Sequence, residues 1–261
     1  MSKHILVTGG NSGIGLALCK LLIKNHSCYV YLGSRDVSKG EAALKIIFEE
    51  VPDKSDKIEV IQIDVGDDQS CKSAAKILKD KEVKLYALVN NAGISGGAET
   101  EVIINTNFKG PKRVTDALFG LIDKSGGRIV NISSRAASMW LSDQDSATKE
   151  LFTNQDTAFE DLELAIDRNV AAGNVKIGNG YGLIKGWSER FNLDSSQILS
   201  RHKGHKLASR IHRYAYDKRP HLVWFKGHID TRTRMSFVNQ MSFLILSSVV
   251  PIMVQMGLDL H

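Results

Sequence analysis

Short apolar runs alternate with amphipathic segments through the first half of the chain. The apolar runs, rich in β-branched residues, predict five strands at 5–8, 28–33, 58–63, 85–89 and 128–132. Between them apolar residues recur every three or four positions, which predicts helices at 13–22, 37–50, 69–79 and in a segment reaching Lys124. This alternation predicts an α/β fold: a Rossmann-type, doubly wound parallel sheet with helices on both faces.

The alternation weakens after Ser134. Residues 136–179 are rich in Asp, Glu, Asn and Ala, and their helical pattern at about 158–170 indicates a helical segment inserted before a further helix near Tyr181. A sixth strand is predicted at 222–225. No internal repeat or linker divides the chain, so we expect one domain over 1–261 with an atypical C-terminal tail at 232–261.

A glycine-rich turn joins the first strand to the first helix. Gly9 permits the tight turn, Gly13 lets the backbone approach a pyrophosphate, and Gly15 lets the helix pack against the strand. The N-terminus of the helix, with Asn11, Ser12 and Ile14 around it, offers N–H groups and a positive dipole end to phosphates. The turn therefore predicts a dinucleotide-binding βαβ unit.

The glycine spacing resembles the signature of the short-chain dehydrogenase/reductase family, and further matches follow in that family's order. They are Asp64-Val65 after the third strand, Asn90-Asn91-Ala92-Gly93 after the fourth, Asn107 in the next helix, Ser134 after the fifth strand, and Tyr181-x-x-x-Lys185. The resemblance covers roughly residues 3–190. It implies that Asp64 and Val65 lie at the adenine, and that Asn91, Ala92 and Gly93 face the cofactor.

The resemblance also implies a catalytic set for hydride transfer between a nicotinamide cofactor and a carbonyl or alcohol. Tyr181 is the proton donor, Lys185 binds the nicotinamide ribose, Ser134 bonds the substrate oxygen, and Asn107 holds a water in a proton relay. A free Tyr titrates near 10, so the phenol needs a neighbouring ammonium to lower its pKa. Tyr181 and Lys185 are four residues apart and share one helix face. Alone, such a pair is more often part of a surface helix than of a catalytic site. Its position after the glycine turn, the Asn90–Gly93 match and Ser134 favours the catalytic interpretation.

The end of the second strand bears on the choice of cofactor. The sequence there is Gly33-Ser34-Arg35-Asp36. Ser34 and Arg35 suit the 2′-phosphate of NADP(H), whereas an acid would favour NAD(H). Asp36 follows one step later and is interpreted as a cap of the next helix. The sequence therefore favours NADP(H), with Arg35 as an ordinary surface charge the alternative.

The long interval between Ser134 and Tyr181 resembles that of a subgroup of monomeric carbonyl reductases, in which the insertion covers the dimerisation surface. The resemblance implies a monomer, with Met139 and Trp140 either in a pocket wall or in the core. Further on, Lys226-Gly227-His228-Ile229-Asp230-Thr231 matches the family's Pro-Gly-x-Ile-x-Thr turn without its proline. Ile229 and Thr231 are thereby assigned to the cofactor site.

The net charge of +5 is concentrated in the basic segment 201–219. This segment is either a solvated helix face or a surface for an anionic partner; no aromatic platform accompanies it, so nucleic-acid binding is not expected. Polar residues interrupt the apolar stretch 242–258, which favours a globular core over a membrane span. Cys19, Cys28 and Cys71 show no pairing or metal-like spacing, and no leader precedes the first strand, so we expect reduced thiols in a cytoplasmic protein.

Two functions follow from these patterns. The first is an NADPH-dependent reductase of an aldehyde, ketone or quinone, or the reverse alcohol oxidation, with a small molecule as its partner. The second is a catalytically weak relative that binds the dinucleotide as a regulatory or scaffold protein. The complete set of Asn107, Ser134, Tyr181 and Lys185 favours the first, and the irregular C-terminal third favours the second.

Overall fold

The computed structural model describes residues 2–26, 28–94, 97–154, 156–173 and 179–185. Five strands form one sheet within these ranges: β1 Lys3–Thr8, β2 Cys28–Ser34, β3 Ile58–Gln62, β4 Leu85–Asn90 and β5 Arg128–Asn131. All neighbouring strands are parallel, in the order β3-β2-β1-β4-β5. The predicted doubly wound sheet is confirmed.

The helices follow the strands in alternation. They are α1 Gly13–Asn25, α2 Val37–Glu50, α3 Asp68–Asp80, α4 Thr100–Ile104, α5 Gly110–Leu118, α6 Arg135–Ser142, α7 Ser146–Thr153, α8 Phe159–Ala171 and α9 Asn179–Lys185. A π-helical segment, Asn105–Lys109, joins α4 to α5, and short 3₁₀ helices span Pro52–Lys57 and Phe119–Leu121.

Helices cover both faces of the sheet. Successive strand residues point to opposite sides, so each strand packs against helices on both. Ile5 and Val7 pack with α1 and α2 in one buried cluster. Leu6 lies on the other face and packs in a second cluster with α3 and α5. The nearly continuous apolar strands of the sequence are therefore explained by helices on both sides.

The helix predicted to reach Lys124 ends earlier, at Leu118. Ile122 instead forms a parallel bridge with Leu85, and the Asp123 amide donates to the Leu85 carbonyl at 2.8 Å. Pairing with the first residue of β4 competes with helix continuation here. The predicted strand at 222–225, the basic segment 201–219 and the tail 232–261 lie outside the described residues.

Three helices, α6 to α8, follow Ser134 before α9, which confirms the predicted helical character of this segment. A third buried cluster includes Phe108, Phe152 and Ile166, and Phe159 stacks on Phe108 with 4.4 Å between ring centroids. Trp140 packs edge-on against Phe152 at 5.0 Å, as its core interpretation predicts. Met139 is 57% exposed, so the same interpretation is wrong for Met139. That the segment is an insertion relative to the family stays a prediction.

The three cysteines are free and buried, as the sequence indicates. Burial raises the pKa of the Cys71 thiol to about 11. Within the described ranges, no group of three or more His, Cys, Asp or Glu residues is placed to hold a metal ion. None of the helices in that part of the chain is long and apolar enough to cross a membrane.

Candidate functional site

The carboxyl ends of β1 and β4 meet at the point where the strand order reverses, and Thr8 joins them. Its hydroxyl donates to the Val89 carbonyl at 3.3 Å and accepts from the amides of Asn91 at 3.0 Å and Ala92 at 3.1 Å. The Asn91 side-chain amide donates to the Thr8 carbonyl at 2.9 Å. Ligands of open α/β sheets bind at such a switch point.

The glycine turn packs against the segment that follows β4. Gly9 has a φ of +65°, and a β-carbon there would lie 2.9 Å from the Ala92 Cα. A β-carbon on Gly15 would lie 2.3 Å from the Gly9 carbonyl oxygen and 2.5 Å from the Asn91 amide nitrogen. The turn and the Asn91-Ala92 segment therefore touch only because these two positions lack side chains.

The N-terminus of α1 fits a pyrophosphate. Its N-cap residue, Ser12, makes no side-chain capping bond, and no acid lies in the first turn. A β-carbon on Gly13 would meet no atom of the described residues within 4 Å, and Asn11 and Ile14 are half-buried beside it. The first amides of a helix lack intrahelical acceptors and attract anions. These residues can thus hold the diphosphate of a dinucleotide.

Gly15→Ala is expected mainly to destabilise the fold, whereas Gly13→Ala is expected mainly to weaken cofactor binding. Gly15→Ala forces a β-carbon into backbone, so the free energy of unfolding falls by about 3 kcal/mol or more. Gly13→Ala lowers the free energy of unfolding by only about 1 kcal/mol, because alanine is disfavoured at a φ of +54°. Its methyl group, however, narrows the space through which the cofactor reaches the turn. Urea unfolding together with NADPH titration separates the two effects. Equal destabilisation by both variants contradicts this account of the turn.

The three residues from the last position of β2 to the start of α2 occupy different environments. Ser34 is buried, and its hydroxyl donates to the Asp36 carbonyl at 2.7 Å. Arg35 is exposed. Asp36 is the N-cap of α2 and accepts from the Lys39 amide at 3.2 Å, which confirms its interpretation as a helix cap. The exposed Arg35 guanidinium can therefore move toward a phosphate at this strand end. The Ser34 hydroxyl already donates its proton to Asp36.

The loop after β3 carries Asp64 and Val65. One carboxylate oxygen of Asp64 accepts from the Gly66 amide at 2.9 Å, and Val65 is buried. Because β3 lies beside β2, this loop stands at the same edge of the sheet as Arg35.

Asn107 lies in the π-helical segment and is fully buried. Its side-chain oxygen accepts from the Ile94 amide at 2.9 Å, and its side-chain nitrogen donates to the Ile94 carbonyl at 2.7 Å. A β-carbon on Gly93 would lie 3.1 Å from the Asn107 oxygen and 3.5 Å from Lys185 Nζ. The structure thus brings Asn107 and Lys185 together around Gly93.

Lys185 is buried at the end of α9, and its Nζ donates to the Ile132 carbonyl at 3.1 Å. Burial lowers the pKa of this ammonium to about 8. Ser134 follows at the N-cap of α6, where its Oγ accepts from the Ala136 amide at 3.2 Å. The chain after β5 therefore presents Ile132 to the lysine and the Ser134 hydroxyl two residues later.

Tyr181 lies on α9 one turn before Lys185, so its position is on the same helix face. Its side chain lies outside the described residues, as do Ile229 and Thr231. The adjacent Gly182 is a functional position that the sequence analysis missed. A β-carbon there would lie 2.5 Å from the Ala136 carbonyl and 2.6 Å from the Trp140 Cβ, so Gly182 lets α9 approach α6. A glycine inside a short helix is the signal that could have found it.

Comparison with known proteins identifies the family and the fold of the chain. A family model for short chain dehydrogenase matches residues 3–149. Human carbonyl reductase [NADPH] 1 is 39% identical over 137 residues, which cover 49% of this chain and 48% of that protein. The (+)-neomenthol dehydrogenase of Arabidopsis thaliana is 32% identical over 185 residues, covering 57% of this chain and 62% of that enzyme.

A solved structure with a similar fold is the menthone neomenthol reductase of Mentha piperita. The two chains share 26% sequence identity with a TM-score of 0.65, over 77% of this chain and 86% of the other. The chain spans about half of the length of the carbonyl reductase and somewhat less than two thirds of the length of the neomenthol dehydrogenase.

Proposed function

Because the chain belongs to the short-chain dehydrogenase family, we propose that it is an NADPH-dependent reductase acting on the carbonyl of an aldehyde, ketone or quinone, or in reverse on the alcohol. The observation that carries the proposal is the meeting of Asn107 and Lys185 around Gly93, beside a turn shaped for a dinucleotide. The relatives' names point the same way: one is a carbonyl reductase using NADPH, and two concern neomenthol.

The bound nicotinamide supplies the hydride, and the chain supplies the proton and the orientation of the carbonyl. Tyr181 delivers the proton from its phenol to the oxygen that becomes the alcohol. Lys185 carries its charge at neutral pH, since its pKa is about 8, and the ammonium stabilises the phenolate that remains. The bond to Ile132 fixes where this charge lies.

Ser134 and Asn107 complete the proposed site. The Ser134 Oγ accepts from Ala136, and this bond leaves its proton for a substrate oxygen. Asn107 uses one hydrogen and one lone pair on Ile94; its second N–H and second lone pair suit a water that passes protons to Lys185. The buried amide thus holds the backbone of Ile94 and has one donor and one acceptor left for a relay.

The cofactor preference is proposed to rest on Arg35. Arg35→Asp replaces a guanidinium that pairs with the 2′-phosphate by a carboxylate that bonds a ribose 2′-OH. The ratio of kcat/KM for NADPH to that for NADH is expected to fall about 100-fold. Lys39→Asp, the same charge change on an exposed residue of α2, is the control and should leave the ratio within about twofold. An unchanged ratio in Arg35→Asp refutes the assignment.

We further propose that the protein works as a monomer in the cytoplasm, without a nucleic-acid partner. Support for the monomer is that Phe159 of α8 stacks on Phe108, so this part of the π-helical segment is buried by the chain itself. Support for a reducing compartment is the three free, buried thiols.

Turnover of NADPH with a panel of aldehydes, ketones and quinones tests the proposed function, followed at the absorbance of the reduced nicotinamide. Oxidation that depends on the carbonyl is expected. Tight NADPH binding without turnover on any member of the panel would leave only a dinucleotide-binding role.

A further inference from the structure

The loop after β3 is attached to the π-helical segment by a side chain of that segment. Asn105 donates from its side-chain nitrogen to the Gly66 carbonyl at 3.0 Å, and the Gly66 amide donates to Asp64 at 2.9 Å. The backbone also approaches closely: a β-carbon on Gly110 would lie 3.1 Å from a Val65 methyl group. Loop and helix therefore pack as one unit.

Arg113, on α5, holds this unit together from one guanidinium. Its Nη1 donates to the Val65 carbonyl at 2.6 Å, its Nη2 donates to the Asn105 side-chain oxygen at 3.0 Å, and its Nε pairs with Asp68. The Arg113 side chain is only 18% exposed, whereas Asp68 is largely in solvent. A planar fork with fixed donors suits such a task, and a lysine cannot reproduce it.

The same π-helical segment carries Asn107, two residues after Asn105. Asn105 faces the loop of Asp64 and Val65, while Asn107 holds Ile94 on the side of Lys185. Single π turns inside helices are rare and recur at functional sites. A shift of the loop would therefore be passed to Asn107 through fewer than three residues of helix.

We propose that Arg113 and Asn105 are positioning residues that couple binding of the adenine half of the cofactor to the placement of Asn107. The inference rests on the proposed function and on the position of the adenine beside Asp64 and Val65 that the family resemblance implies. A shift of this loop on cofactor binding is transmitted through Asn105 to the relay side chain of Asn107, two residues further along the π-helical segment. Neither residue touches the reacting atoms.

The test divides the cofactor into two parts, 2′,5′-ADP and reduced nicotinamide mononucleotide. In the wild-type protein, 2′,5′-ADP is expected to raise carbonyl reduction by the mononucleotide about tenfold, since it fixes the loop and hence Asn107. In Arg113→Gln the Kd of 2′,5′-ADP should rise about tenfold, and the activation at saturating 2′,5′-ADP should fall below about twofold.

Two further variants separate coupling from loss of folding. Arg113→Lys keeps a charge for Asp68 but cannot serve both Val65 and Asn105, so an intermediate activation is expected with near-normal stability. Lys112→Gln is the matched control: this neighbouring lysine pairs with Asp116 in solvent, and its loss should change neither readout.

The outcomes are distinguishable from a failure of the proposed function. Absence of NADPH turnover by the wild-type protein refutes the reductase, whatever the Arg113 variants do. With turnover present, a wild-type protein that 2′,5′-ADP does not activate overturns the coupling. So does an Arg113→Gln variant with unchanged affinity for 2′,5′-ADP or with its activation retained.

Discussion

Tyr181→Phe is expected to lower kcat for carbonyl reduction by about 1,000-fold, within the range that a positioned general acid contributes. The substitution removes one hydroxyl and leaves the helix, so the Kd of NADPH should change little. The structure supports this role through the helix face that Tyr181 shares with the buried Lys185, and through Gly182, which sets α9 against α6.

Steady-state kinetics and NADPH fluorescence titration on the same preparation check this expectation. Tyr86→Phe provides the matched control, because Tyr86 lies on β4 with its ring beneath the Lys3 ammonium, away from Asn107 and Lys185. It should keep its turnover. A Tyr181→Phe variant that retains more than about a tenth of the wild-type kcat would remove Tyr181 as the acid.

Lys185→Met is expected to abolish turnover and at the same time to stabilise the protein near pH 7. Burial lowers the pKa of Lys185 from 10.5 to about 8, a cost of about 3 kcal/mol for carrying the charge in the folded state. Loss of the bond to the Ile132 carbonyl takes back about 1 kcal/mol. Because the cost of burying the charge exceeds the contribution of that bond, the variant is expected to have a higher Tm than the wild-type protein near pH 7.

The pH dependence follows from the direction of the shift. Between about 8 and 10.5 the unfolded chain binds more protons at this lysine than the folded chain does, so wild-type stability rises with pH through that window. The advantage of Lys185→Met is therefore full below about pH 8 and vanishes toward pH 10.5.

Urea unfolding of the unliganded protein at about pH 7 and about pH 10 measures this difference. Lys79→Met, on an exposed position of α3, serves as the control and should show no such pH dependence. A destabilised Lys185→Met variant at both pH values contradicts the account of Lys185 as a strained, buried cation.

The sheet and the dinucleotide turn could be predicted because their signals are local. Each strand is a continuous apolar run, and two requirements of the turn are local: Gly9 has a φ of +65°, and a β-carbon on Gly15 would meet the Gly9 carbonyl oxygen. The helix cap at Asp36 is likewise local, because its carboxylate accepts from the amide of Lys39, three residues further on. Sequence reasoning worked where the physical cause lies within one turn or one strand.

Ser34 has two possible hydrogen-bond partners near this strand end, and the sequence does not decide between them. A hydroxyl at this strand end suits a phosphate, but a serine can also bond its own backbone two residues on, and here it donates to Asp36. Met139 shows the same limit for burial, since the pattern of α6 does not reveal which side faces solvent.

The partners of Arg113 and Gly182 could not be predicted, although a glycine inside a short helix already indicates a close approach at position 182. Arg113 contacts Val65 and Asp68, which lie far earlier in the chain. These contacts depend on how β3 and α5 are packed. Gly182 matters only because α6 returns to lie against α9. The partners at such positions are defined by tertiary packing, which periodicity and motifs do not reveal.

Transfer of deuterium from the nicotinamide to the product tests the central claim most directly. NADPH deuterated at C4, prepared as each of the two epimers, is incubated with a carbonyl substrate, and the alcohol is analysed by mass spectrometry. We expect one epimer to place a single deuterium on the former carbonyl carbon, and Tyr181→Phe to suppress the labelled product. An alcohol that carries no deuterium from either epimer, or no alcohol at all, would contradict the account.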